Sequence, residues 1–132
     1  MGSVTRKERN RASASSRRAV TFDVVRQIAH TLPGVEDGTS YGTPALKVRG
    51  KLFVRLHQSR DCFVLRTAIL DRHILMQAQP EAFFITDHYL NYPWILVRFS
   101  AIPRSALPEL LERAWRLVAP KTLLAKWEMI HE

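Results

Sequence analysis

The sequence predicts an α+β fold, a two-layer sandwich with helices packed on one face of an antiparallel sheet. Three observations carry this expectation. Apolar periodicity gives the order helix, several short strands, helix, strands, helix, with no repeating strand–helix–strand unit of the kind that builds a parallel sheet. The run from Ala45 to His57 alternates apolar residues with Lys and Arg on both sides of Gly50, the pattern of a β-hairpin. Near the C-terminal end, Leu107, Leu110, Leu111, Ala114, Leu117 and Val118 form one apolar stripe at helical spacing, which needs a sheet to cover it.

Each element follows from local chemistry. Thr21 is a candidate N-cap, Asp23 suits the positive end of a helix, and Phe22, Val25, Ile28, Ala29 and Leu32 recur on one face, so a first helix is expected over about 22–31. Pro33-Gly34 stops it. Val35 to Gly42 is polar and turn-like, and fits either a first strand or a loop. The hairpin then turns at Arg49-Gly50. With a two-residue loop Val48 faces Lys51, and Leu46, Val48, Lys51, Phe53 and Arg55 share one face; a one-residue shift exchanges the faces. Gln58 to Asp61 makes the next turn, and Cys62 to Arg66 is a further strand. Thr67 is placed to cap a short helix over 68–78. Phe83 to Ile85 and Trp94 to Phe99 read as strands by β-propensity, joined by a loop carrying Asp87, His88, Tyr89, Asn91, Tyr92 and Pro93. A helix over about 106–118 is expected with Ser105 as cap, Pro108 in its first turn, and outward Glu109–Arg113 and Glu112–Arg116 pairs in the favourable acid-first order. Ala119-Pro120 ends it, and 121–127 forms a short final helix.

The chain of 132 residues is one domain long, and 46% hydrophobic residues are enough to bury a core. Its formal charge of +8 comes from 20 Lys and Arg against 12 Asp and Glu. Residues 1–18 hold six of those bases and one acid, 6 − 1 = +5. This Arg/Ser-rich stretch has no hydrophobic periodicity and reads as a disordered arm over 1–20, ahead of a domain over 21–128. Such an arm suits phosphate backbones through counterion release, or is simply solvated. It lacks the apolar core of a secretory signal, although its Arg/Ser content also fits a transit peptide. The apolar runs are too short to span a membrane. One cysteine, Cys62, allows no intramolecular disulfide, no CxxC redox pair and no Cys₄ or Cys₂His₂ zinc site, which suits a reducing compartment.

The residues that carry chemistry are few. The hairpin cations Lys47, Arg49, Lys51 and Arg55, joined by Arg66 and Arg98 on neighbouring strands, are spaced to meet successive phosphates as β-ribbon readers do; the alternative is a solvated sheet with charged edges that resist aggregation. No two of His30, His57, His73, His88 and His131 have the spacing that presents a zinc site from one helix face. Asp87-His88 is an acid/base pair only if a third group converges on it. Cys62 reads as a small buried hydrophobe rather than a nucleophile. Gly-rich phosphate loops, GxSxG elbows and paired catalytic carboxylates are absent. Phe53, Phe63, Phe83, Phe99, Trp94 and Trp115 are expected in the core between the layers, whereas Tyr41, Tyr89 and Tyr92 fall on loops where they can line a groove or a small-molecule pocket.

The segment from "LPGVEDGTSYGTPALKVRGKLFVRL" through "QPEAFF" and "PWILVRF" to "LPELLERAWRLVAPKTLLAKWE" resembles the MmcQ/YjbR-like family of small bacterial proteins over about 21–128. The resemblance rests on Leu32-Pro33-Gly34, Gly42-x-Pro44, Val48-Arg49-Gly50-Lys51-x-Phe53, Trp94, and Ala114-Trp115-x-Leu117-Val118-Ala119. Leu46 stands where relatives usually carry Phe. The resemblance implies a frataxin-like (CyaY-like) fold, a cytoplasmic setting, and DNA binding by a double-wing arrangement of hairpins. The acidic ridge with which frataxins are said to bind iron has no counterpart, since helix one offers Asp23 alone and only Glu36 and Asp37 follow. The function expected is therefore non-enzymatic binding of double-stranded DNA by a monomer, through Lys47, Arg49, Lys51 and Arg55, with no cofactor and no metal. The alternative is a protein-interaction or small-ligand module that uses the sheet face or the loop from Asp87 to Pro93.

Overall fold

A computed structural model describes residues 20–131. Strands β1 (Val35–Ser40), β2 (Thr43–Val48), β3 (Lys51–Leu56), β4 (Cys62–Arg66), β5 (Phe83–Phe84) and β6 (Trp94–Arg98) form one sheet in the order β1-β2-β3-β4-β6-β5. Every pairing is antiparallel. Helices α1 (Phe22–Ala29), α2 (Ile69–Ala78), α3 (Leu107–Val118) and α4 (Lys121–Ile130) complete the α+β fold. The sheet presents Leu46, Val54, Phe63, Leu65, Ile95 and Val97 to one core, with Val25 and Ala29 of α1 and Leu111, Ala114 and Trp115 of α3 on the other side; α2 and α4 pack against its margin. The expected arm falls outside the described residues except for Val20, which is buried in that core.

The local signals divide into those that hold and those that tertiary structure redirects. Thr21 caps α1, its hydroxyl oxygen accepting from the Val24 N–H at 3.3 Å. Ser105 caps nothing: it sits inside a 3₁₀ turn, Arg104–Ala106, and α3 follows from Ala106 without a side-chain cap. Thr67 likewise caps nothing: Ala68 is the N-cap residue of α2, without a side-chain cap, and the Thr67 hydroxyl donates to the Ala68 carbonyl at 3.3 Å. The polar stretch before Gly42 is a full strand, paired with β2 along its length, and α4 runs three residues beyond the expected Trp127. The outward Glu109–Arg113 and Glu112–Arg116 pairs form at 3.5 and 3.0 Å.

The turns of the first two hairpins, β1–β2 and β2–β3, are two residues long and hold both residues at positive φ: Tyr41 and Gly42 at 52° and 75°, Arg49 and Gly50 at 52° and 82°. This is the turn geometry whose twist matches paired strands. Val48 therefore faces Lys51, as expected. Beyond that pair the expected face is lost. Lys47 opposes Leu52 and Leu46 opposes Val54, so Phe53 is an extra residue on β3. A bulge of this kind adds one residue to the count and exchanges the faces of everything after it. Phe53 and Val54 both enter the core, and Arg55 passes to the opposite side of the sheet, opposite Ala45 and Val64.

Gly34 lies at φ +78°, and a Cβ there would stand 2.6 Å from the Leu123 Cδ1 of α4. Gly34→Ala is expected to destabilise the domain by roughly 1–2 kcal/mol from the left-handed backbone alone, with Leu123 displaced as well; equilibrium urea unfolding of the two proteins checks it.

Candidate functional site

The sheet face away from the helices carries Glu36, Lys47, Leu52, Arg55, Val64, Arg66, Trp94, Leu96 and Arg98, as the cross-strand register dictates. Its β4–β6 end is covered by a small second core of Cys62, Val64, Leu96 and Tyr89, the last supplied by a 3₁₀ turn, Asp87–Tyr89. Three arginines on this face each lie over an aromatic ring: Arg55 over Tyr41 at 5.1 Å, Arg66 over Trp94 at 5.5 Å and Arg98 over Phe84 at 3.9 Å. Delocalised guanidinium charge favours such stacking.

The loop that bears Tyr89 and Tyr92 is held by one buried side chain. Arg72 of α2 is only 6% exposed. Its Nη1 donates to the carbonyls of Tyr89, Tyr92 and Trp94 at 2.9, 2.7 and 3.1 Å, and its Nη2 to Leu90 at 2.9 Å. Four main-chain acceptors thus replace water around a buried cation. Periodicity on α2 does not reveal this role, since Arg72 occupies an ordinary polar position between Asp71 and His73.

Between the covered end and β1 lies a cavity of about 540 Å³ lined by Ser40, Tyr41, Leu52, Arg55, Val64, His88, Tyr89, Tyr92 and Trp94. Arg55 is 4% exposed at its margin; it donates to the Tyr89 hydroxyl at 2.7 Å, to the Leu56 carbonyl at 3.2 Å and to Gln58 at 3.3 Å. No carboxylate pairs with it among the described residues. Tyr41 and Tyr92 stay 79% and 57% exposed. The three loop tyrosines singled out by the sequence therefore line a single cavity. His88 joins them, its ring edge-on to Tyr89 at 4.8 Å. Trp94, expected in the core, stands on the outer face instead, because its register partner is Arg66 and not a core residue.

The four predicted hairpin cations do not form one cluster. Arg49 and Lys51 are exposed at the turn, and Lys47 lies half-buried on the outer face with its side chain along Gly38. Arg55 is four residues along β3 from Lys51, roughly 13 Å away at an ordinary strand rise, and is buried. None of the four is in an ion pair among the described residues; the acids that do pair serve Arg26, His30, Arg113 and Arg116.

A second grouping sits at the β3–β4 turn. Ser59 Oγ lies 2.6 Å from Asp61 and 2.8 Å from His57 Nδ1, and 3.7 Å from Cys62 Sγ. The Ser59 backbone N–H also donates to His57 Nδ1 at 3.2 Å. These bonds close the turn on itself. Burial and then the Arg55 charge hold His57 below the ordinary imidazole range, while the Ser59 hydrogen bond lowers Asp61. Burial pushes the Cys62 thiol up, the opposite of what a thiolate nucleophile needs. Among the described residues no three His, Cys, Asp or Glu side chains are grouped to hold a metal ion, and no helix is long and apolar enough to cross a membrane.

The YjbR family model matches residues 30–117, from the end of α1 to the last turn of α3. This chain belongs to the YjbR family. The match takes in the whole sheet, both hairpins, Arg72 and every residue of the cavity. Among curated proteins, uncharacterised proteins of Mycobacterium bovis and Mycobacterium tuberculosis are 40% identical over 50 residues, 38% of this chain and 39% of theirs, so the chain spans about two fifths of the length of the curated relatives it matches. A crystal structure of a Deinococcus radiodurans protein with the DUF419 domain aligns with a TM-score of 0.63 at 22% identity, over 74% of this chain and 77% of that one. That likeness supports the fold. The YjbR domain here thus has a helix-covered face that builds its core and an outer face that gathers cations and aromatic rings.

Proposed function

We propose that this YjbR-family protein binds double-stranded DNA through its phosphates, acting as a cytoplasmic monomer without catalysing a reaction. The observation that carries the proposal is the unneutralised charge of Lys47, Arg49 and Lys51 around one hairpin turn, with no acid paired to any of them among the described residues. Cations of this kind, Arg49 and Lys51 exposed and Lys47 half-buried, gain from releasing the counterions condensed on a duplex. Arg55, buried beneath Tyr41 and bonded to Tyr89, is less available to a duplex backbone than the three cations of the turn and opens to the cavity instead. The small-ligand alternative is favoured by a separate observation, the aromatic cavity on the outer face.

Duplex binding to a labelled random sequence, titrated with salt, tests the proposal. The full chain is expected to bind with a steep salt slope, and the combined K47A, R49A and K51A variant to lose about one unit of that slope for each phosphate contact removed. A chain lacking residues 1–18 separates the arm from the domain. Equal binding by wild type and the triple variant overturns the hairpin assignment.

A further inference from the structure

We propose that the cavity on the outer sheet face binds a single unpaired nucleotide, with its base stacked on the rings of Tyr41 and Tyr92 and its phosphate at Arg55. The proposal deepens the nucleic-acid reading and rests on it for the class of ligand. Its physical basis does not involve Lys47, Arg49 or Lys51.

The anionic half of the ligand follows from Arg55. Arg55 as a residue is 4% exposed yet lines the cavity, and no carboxylate pairs with it among the described residues. Three hydrogen bonds, to Tyr89, Leu56 and Gln58, use three of its five N–H donors. Burying a cation with neutral acceptors alone is costly, and an anion brought to its remaining donors recovers charge-assisted bonds in a site of low local dielectric. The charge has been placed there by a specific device, the bulge at Phe53, which turns Arg55 away from the core and under Tyr41.

The planar half follows from the rings. Tyr41 is an aromatic residue at φ 52°, a conformation that bulky side chains rarely adopt, and it projects from a hairpin turn with most of its ring in solvent. Tyr92 faces the same cavity from the Arg72-anchored loop, with His88 6.5 Å from it and inclined by 34°. Exposed aromatic rings beside an arginine, on an open sheet face, are the arrangement by which proteins stack unpaired bases. A cavity of about 540 Å³ is of ligand-binding size. In a duplex the bases are paired and stacked, so only a free nucleotide or a nucleotide in a single strand presents the required face.

The test uses the full chain and five measurements by calorimetry or anisotropy: a 5′-mononucleotide, a short single-stranded oligonucleotide, the same single strand against the Tyr41→Ala/Tyr92→Ala variant, the same single strand against Arg55→Gln, and a duplex against wild type and the tyrosine variant. Both substituted side chains are exposed, so folding is preserved; Arg55→Gln serves as the second variant and tests the anion site. Wild type is expected to bind single strand, with affinity falling about tenfold or more in the tyrosine variant and duplex binding unchanged. Binding of the mononucleotide without the oligonucleotide assigns the site to a free nucleotide; binding of the oligonucleotide assigns it to single strands. Equal single-strand binding by wild type and both variants, or no binding of either unpaired ligand, overturns the nucleotide site. If salt-dependent duplex binding survives in that case the hairpin reading stands; if duplex binding is also missing, both fall.

Discussion

Replacing Arg72 by Met is expected to lower the stability of the domain by about 3 kcal/mol, because methionine keeps most of the apolar stem and removes every donor. The carbonyls of Tyr89, Leu90, Tyr92 and Trp94 then lose the cation they share, and a hydrogen bond to a charged group contributes roughly 1.5–3 kcal/mol net. Water reaching the loop offsets part of that loss, which is why the total is far below four times the single-bond value. Arg72→Lys retains the charge on one compact ammonium with three donors and is expected to recover only part of the deficit. Urea unfolding followed by far-UV circular dichroism measures both. The substitution also bears on function: once the loop is released, Tyr89 and Tyr92 lose their place beside Arg55, so single-strand affinity is expected to fall in Arg72→Met even though the residue touches no ligand. Wild-type stability in Arg72→Met would refute the clamp.

Trp115→Ala is expected to cost more, about 3–5 kcal/mol, the range for removing a fully buried large aromatic residue. Trp115 has no exposed surface. Its indole N–H donates to the Pro33 carbonyl at 2.9 Å, tying α3 to the turn that ends α1, and its ring lies 5.7 Å from Trp127 of α4. Small domains are stable by only about 5–15 kcal/mol, so this one side chain carries a large share of the fold. Trp115→Phe separates the two contributions: it retains a ring in the core and leaves the Pro33 carbonyl without its donor, for an expected loss of about 1–3 kcal/mol. A Trp115→Ala protein within 1 kcal/mol of wild type would mean that the two layers are held together elsewhere.

Much of the fold was legible residue by residue. The Thr21 cap, the two-residue turn at Arg49-Gly50 and most of the amphipathic stripe of α3 are encoded within a few neighbouring positions and appear where their local chemistry requires them, whereas α1 ends at Ala29, short of the expected 31, and Leu117 of the stripe is exposed. The expected caps at Thr67 and Ser105 fail because the helices begin elsewhere: α2 starts from Ala68, and a 3₁₀ turn takes Ser105 into its own course. Trp94 reads as a core residue from its apolar surface, but a strand has two faces and alternation alone does not say which one the helices cover.

The candidate site was legible in its parts and not in its assembly. Lys47, Arg49 and Lys51 could be picked out from the alternation of charge around Gly50, and Tyr41, Tyr89 and Tyr92 from their place on loops. That Arg55 belongs with the tyrosines and not with the other hairpin cations depends on one extra residue at Phe53, and a bulge has no reliable signature in a run such as Lys51-Leu52-Phe53-Val54-Arg55. The role of Arg72 depends on where a loop some twenty residues away comes to rest.

The sequence by itself determined the α+β class, the element order after Gly42, the hairpin turn at Arg49-Gly50 and the family, because these rest on short-range backbone preference and on the periodicity with which apolar residues recur. Only the tertiary structure decided which face Arg55 and Trp94 occupy and how Arg72 gathers four carbonyls around the candidate pocket. Those outcomes follow from strand register and from the satisfaction of buried polar groups, and both are settled between residues far apart in the chain.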